Sequence, residues 1–136
     1  MIGRVDSPAA AAELLRRALL SVQAIYLFGS TAQGTAQAGS DLDLAVLLPR
    51  PLDPAARWRL AQELAAAIGR DVDLIDLRAA PTVLQAQVLA AERLLFEGDP
   101  GARAVFEMLV LSDYARLNDE RRGILDDVRE RGTVHG

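Results

Sequence analysis

Two stretches, Ala24-Ile25-Tyr26-Leu27-Phe28-Gly29-Ser30 and, ten residues further on, Asp41-Leu42-Asp43-Leu44-Ala45-Val46-Leu47-Leu48, decide how this chain is read. Each holds a short apolar run of strand length. The first run ends in Gly-Ser and the second opens on two carboxylates. A strand alternates its side chains with period two, so Asp41 and Asp43 leave the same face, about 6–7 Å apart. That spacing suits a hard divalent cation, which prefers oxygen ligands. Gly29 lets the backbone approach a ligand closely, and Ser30 sets a hydroxyl beside free backbone amides. A bare Asp-x-Asp is most often an ordinary strand-start acidic pair. Joined to Gly-Ser at a strand end, it reads as a phosphate grip beside a metal cradle, the equipment of phosphoryl or nucleotidyl transfer.

Working outward, Ser7 and Pro8 open an alanine- and leucine-rich helix to Leu20, with Ala12, Leu15 and Leu19 as its inner face. The first strand is predicted over Val22–Phe28 and the second over Asp41–Leu48. A short helix is predicted over Thr31–Ala36, with its N-terminus placed to favour an anion at Gly29-Ser30. Pro49-Arg50-Pro51 ends the second strand. Asp53 then caps a helix from Pro54 to Ile68, closed by Gly69, with Trp58, Ala61, Leu64, Ala65 and Ile68 facing the core. Asp71–Leu77 reads as a third strand, Pro81–Leu94 as a helix, and Leu95–Glu97 as a short edge strand. From Gly101 to Arg131 the pattern is helical, with Gly123 as a weak point. Its apolar stripe of Val105, Phe106, Leu109, Val110, Tyr114, Leu117, Ile124, Leu125 and Val128 outruns what a small sheet needs.

The helix between strands two and three is long enough for a parallel crossover. That places a third carboxylate beside the first two. Asp73, set between Val72 and Leu74, is the preferred one; Asp71 at the strand mouth is second, and Asp76, on the other face, third. The element order gives an α/β (α+β) fold with a small mixed sheet flanked by helices and a long C-terminal helix. The 136 residues form a single domain, with a core over 8–97 and a helical extension over 101–131.

The net charge of −4 excludes a broad grip on nucleic acid backbone, and with it a template-bound polymerase. The absence of cysteine suits the cytoplasm. No apolar run reaches the length of a membrane span, and the first residues lack a signal-peptide pattern. His135, the lone histidine, reads as a tail residue, and Tyr114 as packing rather than an acceptor.

Gly-Ser-x10-Asp-x-Asp, followed by an aspartate in a Val-Asp-Leu strand, resembles the DNA polymerase β-like nucleotidyltransferase superfamily. Gly29-Ser30-Thr31-Ala32-Gln33-Gly34-Thr35-Ala36 and Ser40-Asp41-Leu42-Asp43-Leu44-Ala45-Val46 look like its minimal members. The closing segment, Asp113-Tyr114-Ala115-Arg116-Leu117 through Arg129-Glu130-Arg131-Gly132, is similar to that of the MntA-type antitoxins, which pair with HEPN-domain toxins. The resemblance implies Asp41, Asp43 and Asp73 as magnesium ligands, with Asp73 also activating the acceptor hydroxyl. Gly29 and Ser30 would hold the β- and γ-phosphates of ATP. It implies AMP transfer to a tyrosine hydroxyl of a HEPN toxin, itself an RNase, which is thereby silenced. Gln33 stands where many minimal members carry a basic residue, a change expected to weaken the triphosphate grip. Two other readings fit the same residues: occlusion of the toxin without catalysis, and transfer to a small-molecule hydroxyl such as that of an aminoglycoside. The charge-rich end of the last helix is a candidate surface for homo- or hetero-oligomers.

Overall fold

The computed structural model describes residues 7–29, 41–90 and 93–135, with side chains as far as Gly123. Four strands make one mixed sheet: β1 (Ala24–Phe28), β2 (Leu42–Leu47), β3 (Val72–Asp76) and β4 (Arg93–Glu97), in the order β3-β2-β1-β4. β1 runs antiparallel to both β2 and β4, whereas β2 and β3 are parallel, as the helical crossover between them requires. Helices α1 (Ser7–Ala18), α2 (Pro54–Ile68), α3 (Thr82–Ala90) and α4 (Pro100–His135) cover the two faces.

Period two sorts the core into two layers. Ile25, Leu27, Leu42, Leu44, Val46 and Leu74 pack with Ala11, Leu15, Leu60 and Leu64 of α1 and α2. Ala24, Tyr26, Ala45, Leu47 and Leu77 face the other way, onto Val88 of α3 and Phe106 and Val110 of α4. The central strands are buried on both faces and accordingly read as continuous apolar runs.

Local chemistry fixes the helix ends. The Asp53 carboxylate accepts from Ala56 N at 3.1 Å, and Gly69, in the left-handed region at φ +77°, donates to Ala65 O at 2.8 Å. Asp99 repeats the N-terminal device for α4, accepting from Ala102 N at 3.0 Å.

Several expectations are corrected. Trp58 is not core packing: it is 62% exposed. The inner face of α2 is Arg57, Leu60, Ala61, Leu64 and Ile68, because Arg57 turns inward to donate to Leu74 O at 3.0 Å and carries the face past Trp58. α3 ends at Ala90 rather than Leu94, since Arg93 and Leu94 pair with β1. α1 ends at Ala18 rather than Leu20. In α4, Phe106 and Val110 are buried while Val105 and Leu109 face solvent, so the apolar stripe outruns what the sheet covers, as expected. The helix continues through Gly123 to His135. Ser30, Gln33 and the helix predicted over Thr31–Ala36 lie outside the described residues.

Candidate active site

The end of β1 and the start of β2 lie side by side, with Phe28 opposite Asp43. On its other side Asp43 is in register with Asp73 of β3. The crossover through α2 therefore sets two carboxylates abreast on adjacent parallel strands. Both leave the face shared with Ala45 and Ile75, the side covered further along by α3 and α4. Asp41 stands exposed just before β2, two residues from Asp43, and Asp73 is also exposed, while Asp43 is half-buried.

Gly29 explains why Asp43 fits. Its φ is +73°, and a Cβ placed there would stand 2.2 Å from Asp43 Oδ2. Only a residue without a side chain lets the β1 backbone turn beneath that carboxylate.

Burial raises the Asp43 pKa above its ordinary value, and the neighbouring charges of Asp73 and then Asp41 raise it further. Such crowding is what a bound divalent cation would relieve, and hard carboxylate oxygens are its preferred ligands. The donor set thus fits magnesium chemistry in kind. Among the described residues no three acidic or histidine side chains stand close enough together to form a finished metal cage.

The other two aspartates of the third strand do different work. Asp71 uses its backbone, its carbonyl accepting from Leu42 N at 2.8 Å, which locks the start of β3 to β2. Asp76 is 4% exposed and accepts from the backbone amides of Leu52 and Arg78. It pins the turns at the far end of the sheet, and its burial is compensated by those two donors.

A supporting cluster beneath the carboxylates has no counterpart in the sequence motifs. Tyr26, two residues before Phe28 on the same face and fully buried, accepts from Arg103 Nε at 3.3 Å. Arg103 also bridges Glu97 of β4 at 2.6 Å and Glu107 of α4 at 3.1 Å. Burial alone would lower the Arg103 pKa, but Glu97, Tyr26 and Glu107 together hold it above its usual value. The cluster rivets α4 to β1 and β4. Its one sequence signal is the Arg103–Glu107 pair at i,i+4 spacing.

Comparisons with known proteins bear on the fold and the family. The family model described as polymerase beta, nucleotidyltransferase matches residues 12–101. The protein adenylyltransferase MntA of Shewanella oneidensis is 47% identical over 116 residues, covering 85% of this chain and 83% of that protein. A solved toxin–antitoxin structure with AMP-PNP superposes with a TM-score of 0.80 at 44% identity, over 91% of this chain and 98% of the other. The structure of a tri-AMPylated Shewanella oneidensis HEPN toxin in complex with its MNT antitoxin gives a TM-score of 0.75 at 42% identity, over 90% and 95% of the chains. The chain belongs to the polymerase beta-type nucleotidyltransferase family and is a homologue of the MntA antitoxin.

Proposed function

We propose that this protein transfers AMP from ATP to a tyrosine hydroxyl of a partner HEPN toxin and so neutralises it. The observation that carries the reading is Asp43 abreast of Asp73, with Gly29 turned beneath it. The relatives bound to AMP-PNP and to a tri-AMPylated toxin supply the nucleotide and acceptor classes. A further toxin–antitoxin complex was solved as a mutant with two aspartates, two positions apart, replaced by glutamate, the spacing of Asp41 and Asp43.

Asp41 and Asp43 would hold magnesium, which supplies charge neutralisation at the α-phosphate and pyrophosphate. Gly29 and Ser30 offer backbone amides and a hydroxyl to the β- and γ-phosphates. Asp73, exposed on the outer strand, takes the proton of the acceptor hydroxyl. The acceptor oxygen then bonds to the α-phosphorus, the bond to the bridging oxygen breaks, and pyrophosphate leaves. No helix among the described residues is long and apolar enough to cross a membrane, and we place the reaction in the cytoplasm, where ATP is abundant.

Intact mass spectrometry of the toxin after incubation with this protein, ATP and magnesium tests the reading. One or more added AMP units are expected, and none with the Asp41→Ala/Asp43→Ala variant. An unmodified toxin held in a tight complex would instead establish occlusion.

A further inference from the structure

The stretch that carries the proposed metal ligands and phosphate grip has no cation of its own. Residues 18–49 contain neither arginine nor lysine. A nucleoside triphosphate bears more negative charge than one magnesium ion neutralises, and the proposed site sets it beside three carboxylates. A cation from elsewhere in the fold is needed to offset the remainder. The chain has no lysine, so an arginine must serve, and its planar fork suits two phosphate oxygens at once.

Most of the described arginines are committed elsewhere. Arg57 donates to Leu74 O, Arg78 to Leu48 O and Gln23 Oε1, and Arg103 to Tyr26, Glu97 and Glu107. Arg16 and Arg17 share Glu13 at 3.5 and 3.2 Å, and the Arg16 guanidinium also lies over the Phe96 ring at 4.4 Å. Arg116 pairs with Asp113, and Arg70, before β3, has an interaction of its own. Arg50, after β2, and Arg59, in the second turn of α2, lie toward the end of the sheet remote from Asp43. Arg121 and Arg122 stand about three turns beyond Val110, the last buried residue of α4 among those described. Arg93 is different. It is exposed, its side chain has no hydrogen-bond or ion-pair partner among the described residues, and it is the only cationic residue in the four strands.

The order β3-β2-β1-β4 sets Asp73, Asp43, Phe28-Gly29 and Arg93 side by side at one end of the sheet. Arg93 is opposite Leu27, two residues before Gly29. Two strand spacings, about 10 Å, separate the backbones of Asp43 and Arg93. In the proposed reaction the same line reads acceptor hydroxyl, metal with α-phosphate, phosphate grip, and then the tail of the triphosphate. Arg93 shares the sheet side of Leu27, facing α1, whereas Asp43 and Asp73 project on the side of α3 and α4. Gly29, turned at φ +73° and without a side chain, leaves the end of β1 open for phosphates to cross between the two sides. On the α1 side they meet an open groove of about 300 Å³, which Arg93 lines with Ala9 and Leu95.

We infer that Arg93 binds the terminal phosphate of the nucleoside triphosphate and sets a preference for triphosphate over diphosphate. The inference rests on the proposed AMP transfer from ATP. The same guanidinium stays on the leaving pyrophosphate, whose charge grows as its bond to the α-phosphorus breaks.

Calorimetric titration of the full-length protein with magnesium–AMP-PNP and with magnesium–ADP tests this without turnover. The wild type is expected to prefer AMP-PNP. Arg93→Gln should lower AMP-PNP affinity about tenfold or more and leave ADP affinity within about twofold, so that the preference disappears. Arg93→Lys, a cation without the fork, should fall between the two. Arg17→Gln removes an equal charge from the exposed side of α1 and should leave both affinities and the melting temperature unchanged. Wild-type AMP-PNP affinity in Arg93→Gln overturns the inference, and so do equal losses for the two nucleotides. An equal loss in Arg17→Gln also overturns it, reducing the effect to long-range charge. Labelled AMP transfer to the toxin separates the two readings. Transfer with binding independent of Arg93 leaves the proposed function standing and removes the inference. Binding that depends on Arg93 without any transfer does the reverse, and a wild type that binds neither nucleotide removes both.

Discussion

Gly29 and Asp43 define one another: the carboxylate occupies the volume that any side chain at Gly29 would take. Gly29→Ala faces that contact and the cost of φ +73° together, about 1 kcal/mol or more from the backbone alone. Because a displacement of the order of 1 Å at a reacting group costs about 100-fold in rate, AMP transfer by this variant is expected to fall by that order, measured as labelled toxin per minute. Asp43 itself is a strained charge in the metal-free protein. Its raised pKa means that the folded chain binds that proton more tightly than the unfolded chain. The cost is present in full above the raised pKa and fades as pH falls through it, so metal-free stability should rise on mild acidification. Asp43→Asn removes the cost at neutral pH. It is expected to melt higher than the wild type in chelator, to lose the stabilisation that magnesium gives the wild type, and to transfer no AMP.

At the scale of elements, the sequence was most legible where local chemistry leaves one answer. Asp53, Pro54 and Gly69 set α2 from Pro54 to Ile68 as predicted, since a cap and a left-handed glycine act within one turn. The parallel β2–β3 pair followed from the length of the crossover, and it carried Asp73 to the side of Asp43. Trp58 was misread because composition reports which residues are apolar but not how a helix is rotated. The rotation is set by Arg57 reaching Leu74 O, a tertiary bond that no window of α2 contains. In α4 the apolar stripe does outrun the core, since Val105 and Leu109 are apolar without being covered. The two helices therefore predict opposite mutational outcomes. Trp58→Ala should change unfolding free energy by no more than about 0.5 kcal/mol in a denaturant titration. Phe106→Ala, at a position 6% exposed, should cost about 3–5 kcal/mol.

For the molecule as a whole, the proposed catalytic parts and the folding core occupy the same short span, and the end of α4 lies beyond both. The buried residues of α4 are Phe106 and Val110, so a chain ended after Leu117 keeps every buried residue among those described. It should melt within a few degrees of the full-length protein, as read by differential scanning calorimetry. The Tyr26–Arg103–Glu97–Glu107 cluster is the point that the sequence concealed at this scale, because its members come from three separate elements.

The order β3-β2-β1-β4 leaves β3 as an outermost strand, and it is the strand that carries Asp73. An uncovered strand there would invite foreign chains to add themselves by backbone pairing beside the proposed active site. Arg57 blocks that route, because its guanidinium occupies the Leu74 carbonyl that an incoming strand would need. The same arginine that turns Trp58 outward thus acts as a guard against aggregation. It leaves side-chain docking, rather than strand addition, as the way for a partner to approach Asp73.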